Sequence, residues 1–454
     1  MTQSMQKNLI GSRQRSADVI VVGAGVSGLQ TAHKLQQSGA SCIVLEASGN
    51  IGGQPCTSNN FNGDNHPRTH SLATEFGLID EFHPVQGKAM LEGYDAFEHD
   101  EQPALSAEDA ASLFQVQAIV DTLSQRPEAS KENMTVEELI SAYGATGTVQ
   151  KLANLWTRLI FGLSSNNVTA SQFLSHCASC GGLLAALDNI NGATDDFTIT
   201  EPSHQVAAAL SQRLNPGTIQ LNQKVIKIEH ASGNNCTILA ESGDVFKASK
   251  VVLAGSLSMC GTLQIEPSIG AAATWDGMKE EQGFSSTVDV VFDHPWWQQR
   301  GLSGYAQGLS GPIAQVRPSG IEIDGLYSLS CQVAGEQARG MWLWLMSEEE
   351  RETLIMQHLG SIFGGNIPRA VQVIEQDENP LVNGQQCLNI AGENAAANGQ
   401  GVWAPEGDIH FAGAKTSNVW RGHLEGALEA GERAAAEIMA VIGTSNAIDL
   451  APRL

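Results

Sequence analysis

The sequence predicts an α/β fold, and two stretches predict it. In residues 17–48 a β-branched apolar run, a glycine-spaced turn, an amphipathic helix and a second apolar run follow one another in register. In residues 408–438 another short apolar run enters a turn and then a helix rich in small residues. Strand, tight turn and helix at both ends are the pattern of a parallel sheet covered by helices, not of a bundle or a sandwich.

The first unit reads ADVIVVGAGVSGLQTAHKLQQSGASCIVLEAS. Val19 to Val22 are an unbroken apolar run, as in a strand buried on both faces. Gly23, Gly25 and Gly28 then stand in GxGxxG spacing. Gly23 permits the turn, Gly25 lets backbone approach a pyrophosphate, and Gly28 lets helix and strand pack. The helical pattern runs from Ser27 with Leu29, Ala32 and Leu35 on one face, and Gly39 stops it. Val26, Ser27 and their neighbours thus open a helix whose free N–H groups suit phosphate. The second strand, residues 42–45, ends in Glu46, placed to accept from ribose hydroxyls, with Ala47 beside it. Glycines, helix and acid in this register define a Rossmann-like dinucleotide site.

Composition narrows the partners. The 454 residues carry 25 Lys+Arg against 49 Asp+Glu, a formal net charge of −24. Such a surface repels phosphate backbones and anionic lipid, so nucleic acid and membrane partners are not expected. Charged residues are only 16% while glycine numbers 47, which argues against disorder and for close backbone approach to a ligand. No apolar run reaches 18 residues and the start is polar, so no span or signal peptide is expected. Eight scattered cysteines read as reduced thiols of a cytoplasmic protein. The terminal Pro452-Arg453-Leu454 resembles a peroxisomal tripeptide of small-basic-Leu type, with Pro as the departure.

Six residues past Glu46 comes the pair Gly52-Gly53, followed by Gln54. An acid followed by a Gly-Gly pair is the extended signature of FAD proteins. Here the chain resembles the flavin-containing amine oxidases. The resemblance returns in DIHFAGAKTSNVWRGHLEGALEAGERAAAEI, residues 408–438. Gly413 and Ala414 would form the turn after a strand. Gly422, His423 and Leu424 would open a helix aimed at the flavin ring, its N-terminus favouring the anionic reduced form. The small-residue face of that helix, with Gly426, Ala427, Ala430, Gly431, Ala434 and Ala435, would admit a sheet or a flat ring. Between the ends lie a helix near residues 205–214 and strands near 219–228, 236–240 and 250–254. The resemblance returns this stretch to the FAD domain and gives Val225 backbone contacts to adenine.

The resemblance therefore implies a Rossmann-like FAD-binding domain from residues 16–79, 205–270 and 386–445. An α+β substrate-binding domain would take residues 80–204 and 271–385, with tails at 1–15 and 446–454. It implies oxidation of a small amine or amino-acid-like substrate by hydride transfer to FAD, with oxygen as a candidate acceptor and a homodimer as a candidate assembly. A desaturase or aromatising oxidase, or a non-redox flavoprotein such as an isomerase, stays open as an alternative.

Four departures bear on chemistry. Gln54 replaces the Arg that usually follows Gly-Gly, leaving Arg68 as the candidate substitute. The Gly-rich strand beside the flavin is missing, and His66 and His70 stand there, read as a solvated loop. Thr287 falls where many members carry a Lys. The aromatic pair of monoamine oxidases is replaced by Gln386, Cys387 and His423, the candidate catalytic set. The run His176-Cys177-Ala178-Ser179-Cys180 has no second ligand pair nearby in sequence, so no metal is expected and its thiols read as core. Trp342 and Trp344 alternate in MWLWL and read as one strand face.

Overall fold

The computed structural model describes residues 14–53, 60–80, 86–99, 101–125, 134–191, 197–231, 235–255, 263–269, 283–318, 325–343, 346–376 and 403–449. Its organising element is a five-stranded parallel sheet, in the order Ile409–Phe411, Lys250–Leu253, Val19–Val22, Cys42–Leu45 and Ile219–Gln220. Val21 lies in register with Val252 on one side and Val44 on the other. Val19 and Val21 point into one apolar cluster, Ile20 and Val22 into another. Both faces being covered, the strand is apolar throughout instead of alternating.

Four helices bear on the site: α1 (Val26–Gln37), α2 (Pro67–Phe76), α3 (Ala170–Cys180) and α4 (Leu424–Asp449). Helices α1, α2 and α4 share one cluster on the sheet, with Leu29, Leu35, Leu72 and Leu428 buried in it. Each such leucine contributes roughly 1.5–3 kcal/mol. Ala427, Ala434 and Ala435 of α4 share the apolar cluster with the strands of the parallel sheet, while its glycines admit a helix and a loop. A Cβ added at Gly431 would lie 2.6 Å from the Ser27 carbonyl oxygen of α1, and one at Gly426 2.3 Å from the Trp420 carbonyl oxygen.

The other face of the parallel sheet meets a second five-stranded sheet containing Asn235–Ala240, Val225–Ala231 and Val245–Ala248. Residues 219–228 are thus not one strand. Asn222 sits at φ 56°, its N–H donates to the Ser48 carbonyl, and the chain leaves one sheet for the other.

The remaining layer is a six-stranded sheet, mostly antiparallel, with Tyr327–Ala334 and Ile313–Pro318 at its centre and Ser285–Phe292 beside the former. Beside it, α3 packs with Ala107–Ser124, Val136–Ala142 and Gly147–Phe161 around Val116, Leu139, Phe173 and Leu174. Trp342 is helical, within Glu336–Leu343, and not on a strand face; Trp344 lies outside the described residues. Burial at Ala338 and Met341, three residues apart, is the helical spacing that decided it.

Candidate active site

The first half of the site is a phosphate cradle. The main chain of Gly23 has φ 110°, and a Cβ on Gly28 would come within 2.0 Å of the Gly23 carbonyl oxygen, so only glycine fits this crossing. Gly25 caps α1 without any side-chain bond, and the first turn of α1 holds no acid. Its N–H groups and positive helix end therefore face outward uncompensated. Gly25 pairs with Gly52, and a Cβ on Gly53 would lie 3.1 Å from the Gly25 Cα. Two glycine backbones thus approach over the helix end. The Ser27 hydroxyl, in the first turn, is buried with no partner among the described residues. An orphaned hydroxyl beside a free helix N-terminus is what a bound diphosphate would satisfy.

Glu46 closes the cradle. Its Oε2 accepts from the Ala24 N–H at 2.8 Å and its Oε1 from the Ser48 N–H at 2.8 Å. Both oxygens keep acceptor capacity for a diol. Ala47 is exposed next to it. The Gln223 N–H donates to the Glu46 carbonyl, which brings Val225, the buried first residue of its strand, to the same end of the cradle. The guanidinium of Arg68, the candidate substitute for the missing cation, is engaged by Glu425 and Glu432.

The second half of the site lies where α3, α2 and the loop before α4 converge. Gly413 follows the strand Ile409–Phe411, Ala414 begins a short 3-10 turn, and the Gly422 N–H donates to the Ala414 carbonyl. Gly422 takes φ 85°. His423 then precedes α4, and its carbonyl receives the Ala427 N–H at 2.9 Å; Leu424 is buried. Trp420 in this loop holds φ 47°, a strained conformation for a bulky residue.

Around His423 the structure gathers residues far apart in sequence. The His423 ring is 5.4 Å from Trp420 and 5.8 Å from His176, centroid to centroid. His176 and Cys180, one helical turn apart on α3, bring Nε2 and Sγ to 3.6 Å. Phe161 packs edge-on to His176 at 5.6 Å. Burial pushes His176 down to about 3, helped by His423 and Arg421, and pushes His423 down to about 4, helped by His66. Burial likewise raises the Cys180 thiol to about 12. Both imidazoles and the thiol are neutral at pH 7.

His66 and His70 are not in a solvated loop. His66 occupies the N-cap position of α2, is 2% exposed, and lies 4.4 Å from Trp420 with the two rings tilted, while its Nδ1 lies 3.0 Å from the Asn62 carbonyl oxygen. Pro67 at the first helical position is the signal for this helix. His70 is exposed on α2, 5.1 Å from Phe197. Among the proposed catalytic residues only His423 is placed here; Gln386 and Cys387, like Gln54, lie outside the described residues. The sequence reading of the thiols as core holds, with Cys177 and Cys180 both buried, but it did not bring His176 and Cys180 together with His423. The i, i+4 spacing of His176 and Cys180 was the available sign that they share one helix face.

The sequence pattern described as "Flavin containing amine oxidoreductase" matches residues 26–439. The chain belongs to that family. It is 26% identical over 464 residues to amine oxidase [flavin-containing] B of Mus musculus, covering 94% of this chain and 87% of that protein. The fold is that of wild-type putrescine oxidase bound to putrescine, with a TM-score of 0.82, 21% identity, and coverage of 94% of this chain and 100% of that one. Cyclohexylamine oxidase from Brevibacterium oxydans superposes with a TM-score of 0.79 over 94% of this chain and 99% of that one. The protein is therefore an FAD-dependent oxidoreductase of the amine oxidase type. Gly25, Ser27, Glu46 and Gly53 fit the diphosphate and ribose of FAD by the geometry above. Among the described residues no helix is long and apolar enough to cross a membrane.

Proposed function

We propose that the chain oxidises a small amine taken up in its neutral form, with the His423 imidazole accepting an N–H of that amine. The observation that carries this reading is the close approach of the His423 ring to His176 and Trp420; burial, which lowers both imidazole pKa values, favours their neutral forms. FAD, when bound, would supply the acceptor for the hydride from the carbon bearing nitrogen.

The protein side of the reaction follows from the neutrality of this face. A desolvated pocket disfavours the ammonium, so the substrate leaves its proton in bulk water on entry. A neutral imidazole keeps one unprotonated nitrogen, which accepts from the amine and orients the neighbouring C–H. Trp420 and Phe161 add apolar walls that exclude water.

The test is anaerobic bleaching of the yellow holoenzyme by a panel of small primary amines and amino acids, followed by admission of air. Bleaching by amines and recovery in air support the reading. Bleaching confined to substrates without nitrogen would move the protein to the desaturase class, and a yellow enzyme that nothing bleaches would leave FAD a non-redox role.

A further inference from the structure

We propose that His176, Cys180 and His423 form a binding site for a soft divalent cation of the zinc class. Their ligand atoms, two imidazole nitrogens and one sulfur, all lie within 4.8 Å of one another. The 3.6 Å from Cys180 Sγ to His176 Nε2 matches the edge of a tetrahedron built on bonds of about 2.3 Å to sulfur and about 2.0 Å to nitrogen. Thiolate with imidazole selects zinc-like ions over magnesium or calcium, which prefer oxygen donors. Three protein ligands leave the fourth position open to water or another small ligand.

The two ligand-bearing elements are already held together. Helix α3 contributes His176 and Cys180 from one face, and the loop before α4 contributes His423. Ser179 joins them: its carbonyl accepts the Trp420 N–H at 2.9 Å and its hydroxyl accepts the Arg421 N–H at 3.3 Å. The Ser179 hydroxyl also donates to the His176 carbonyl at 2.8 Å and touches the Cys180 sulfur at 3.8 Å. Sequence alone offered no second ligand pair for the HCASC run; the fold supplies the third donor from the far end of the chain.

Binding would exchange the Cys180 S–H bond for a sulfur–metal bond and release one proton to water, with no change of oxidation state. Arg421, close enough to favour the thiolate, also repels the cation. The site should accordingly bind more weakly than a four-ligand structural zinc site. One consequence rests on the function proposed above: a cation held here occupies the imidazole that would meet the amine, so zinc should inhibit flavin reduction.

The probe is cobalt(II), titrated into chelator-treated FAD holoenzyme. Tetrahedral cobalt has visible d–d bands to the red of flavin absorption. One equivalent of such cobalt in the wild type is expected, with affinity lowered at least about tenfold in Cys180→Ser and in His176→Gln. Absence of the bands, or bands unchanged in these variants, would overturn the site. Flavin content reports whether each variant is folded; where Cys180→Ser is not, His176→Gln and His423→Gln decide. Amine bleaching of the metal-free enzyme is read separately, so a wrong functional reading leaves the cobalt result standing, and a wrong metal site leaves the bleaching result standing.

Discussion

The backbone N–H of Trp420 donates to the carbonyl oxygen of Ser179 at 2.9 Å, joining the loop that carries His423 to the last turn of α3. Trp420 is strained at φ 47° and buried against Cys180 and Ala186, so surrounding contacts hold it there. The Ser179 hydroxyl adds the bond from the Arg421 N–H. Ser179→Ala removes that acceptor and should cost about 1–3 kcal/mol. Release of the loop should also slow flavin reduction by amine roughly 10–100-fold, since small displacements of a positioning group are that costly. Stopped-flow reduction of FAD-replete enzyme checks this; an unchanged rate would make Ser179 a bystander.

Gly25 and Gly28 separate cofactor binding from folding. Gly25 has φ −73° and ψ 171°, which any residue adopts, and a Cβ there meets only the Gly53 Cα at 3.8 Å. Gly25→Ala should therefore leave the apoprotein within about 0.5 kcal/mol of wild type. Its methyl group would stand between the backbone and the diphosphate, and FAD affinity should fall at least about tenfold, a loss near 1.4 kcal/mol. Gly28→Ala drives a Cβ against the Gly23 oxygen and should destabilise the apoprotein itself. Thermal denaturation with and without added FAD distinguishes the two.

The contrast between these glycines and the histidine cluster explains what the sequence could disclose. The GxGxxG turn, its helix and the acid at Glu46 are local: their spacing dictates their geometry, and the structure places Gly23, Gly25, Gly28 and Glu46 together. The parallel strands were legible because a strand buried on both faces leaves an unbroken apolar run, as in Val19–Val22. Residues 219–228 were misread because one left-handed residue, Asn222, divides a continuous β-like pattern between two sheets. Ser179 and Arg421 meet across 242 residues of chain, and no local periodicity encodes that contact. His66 was undervalued for the same reason: its importance comes from Trp420, which packs on it from the other end of the sequence.

Glu425 is fully buried, and its carboxylate finishes α2 from outside that helix. It accepts from the Thr69 N–H at 2.9 Å, the Thr69 hydroxyl at 3.0 Å and the Arg68 N–H at 3.2 Å, and it receives the Arg68 guanidinium. The negative charge meets the N-terminal end of α2, where the helix dipole favours it. Glu425→Ala should cost about 1–3 kcal/mol for the buried donors left unsatisfied. Glu425→Gln, which keeps one oxygen acceptor, should cost less. Loosening α2 also frees His66 from Trp420, so the alanine variant should show altered flavin fluorescence together with a lower thermal midpoint.

Acidification from pH 7 to pH 5 should destabilise this protein through His176 and His423. His176 faces His423 and Arg421, His423 faces His66, and burial dominates both by penalising the charged imidazolium. Their folded pKa values, about 3 and about 4, lie below the ordinary 6.5. The unfolded chain therefore binds protons that the folded chain refuses once pH drops below 6.5. Stability attributable to the neutral rings is fully present above 6.5 and falls with pH, down to about 4 for His423 and about 3 for His176. At pH 5 each ring costs about 2 kcal/mol relative to neutral pH. His176→Gln, which cannot take a proton, should recover about that amount of the difference between denaturation at pH 7 and at pH 5. A variant that loses stability on acidification as steeply as the wild type would show that His176 is solvated and protonates freely in the folded protein, and the neutral face proposed for amine binding would then lose one of its two rings.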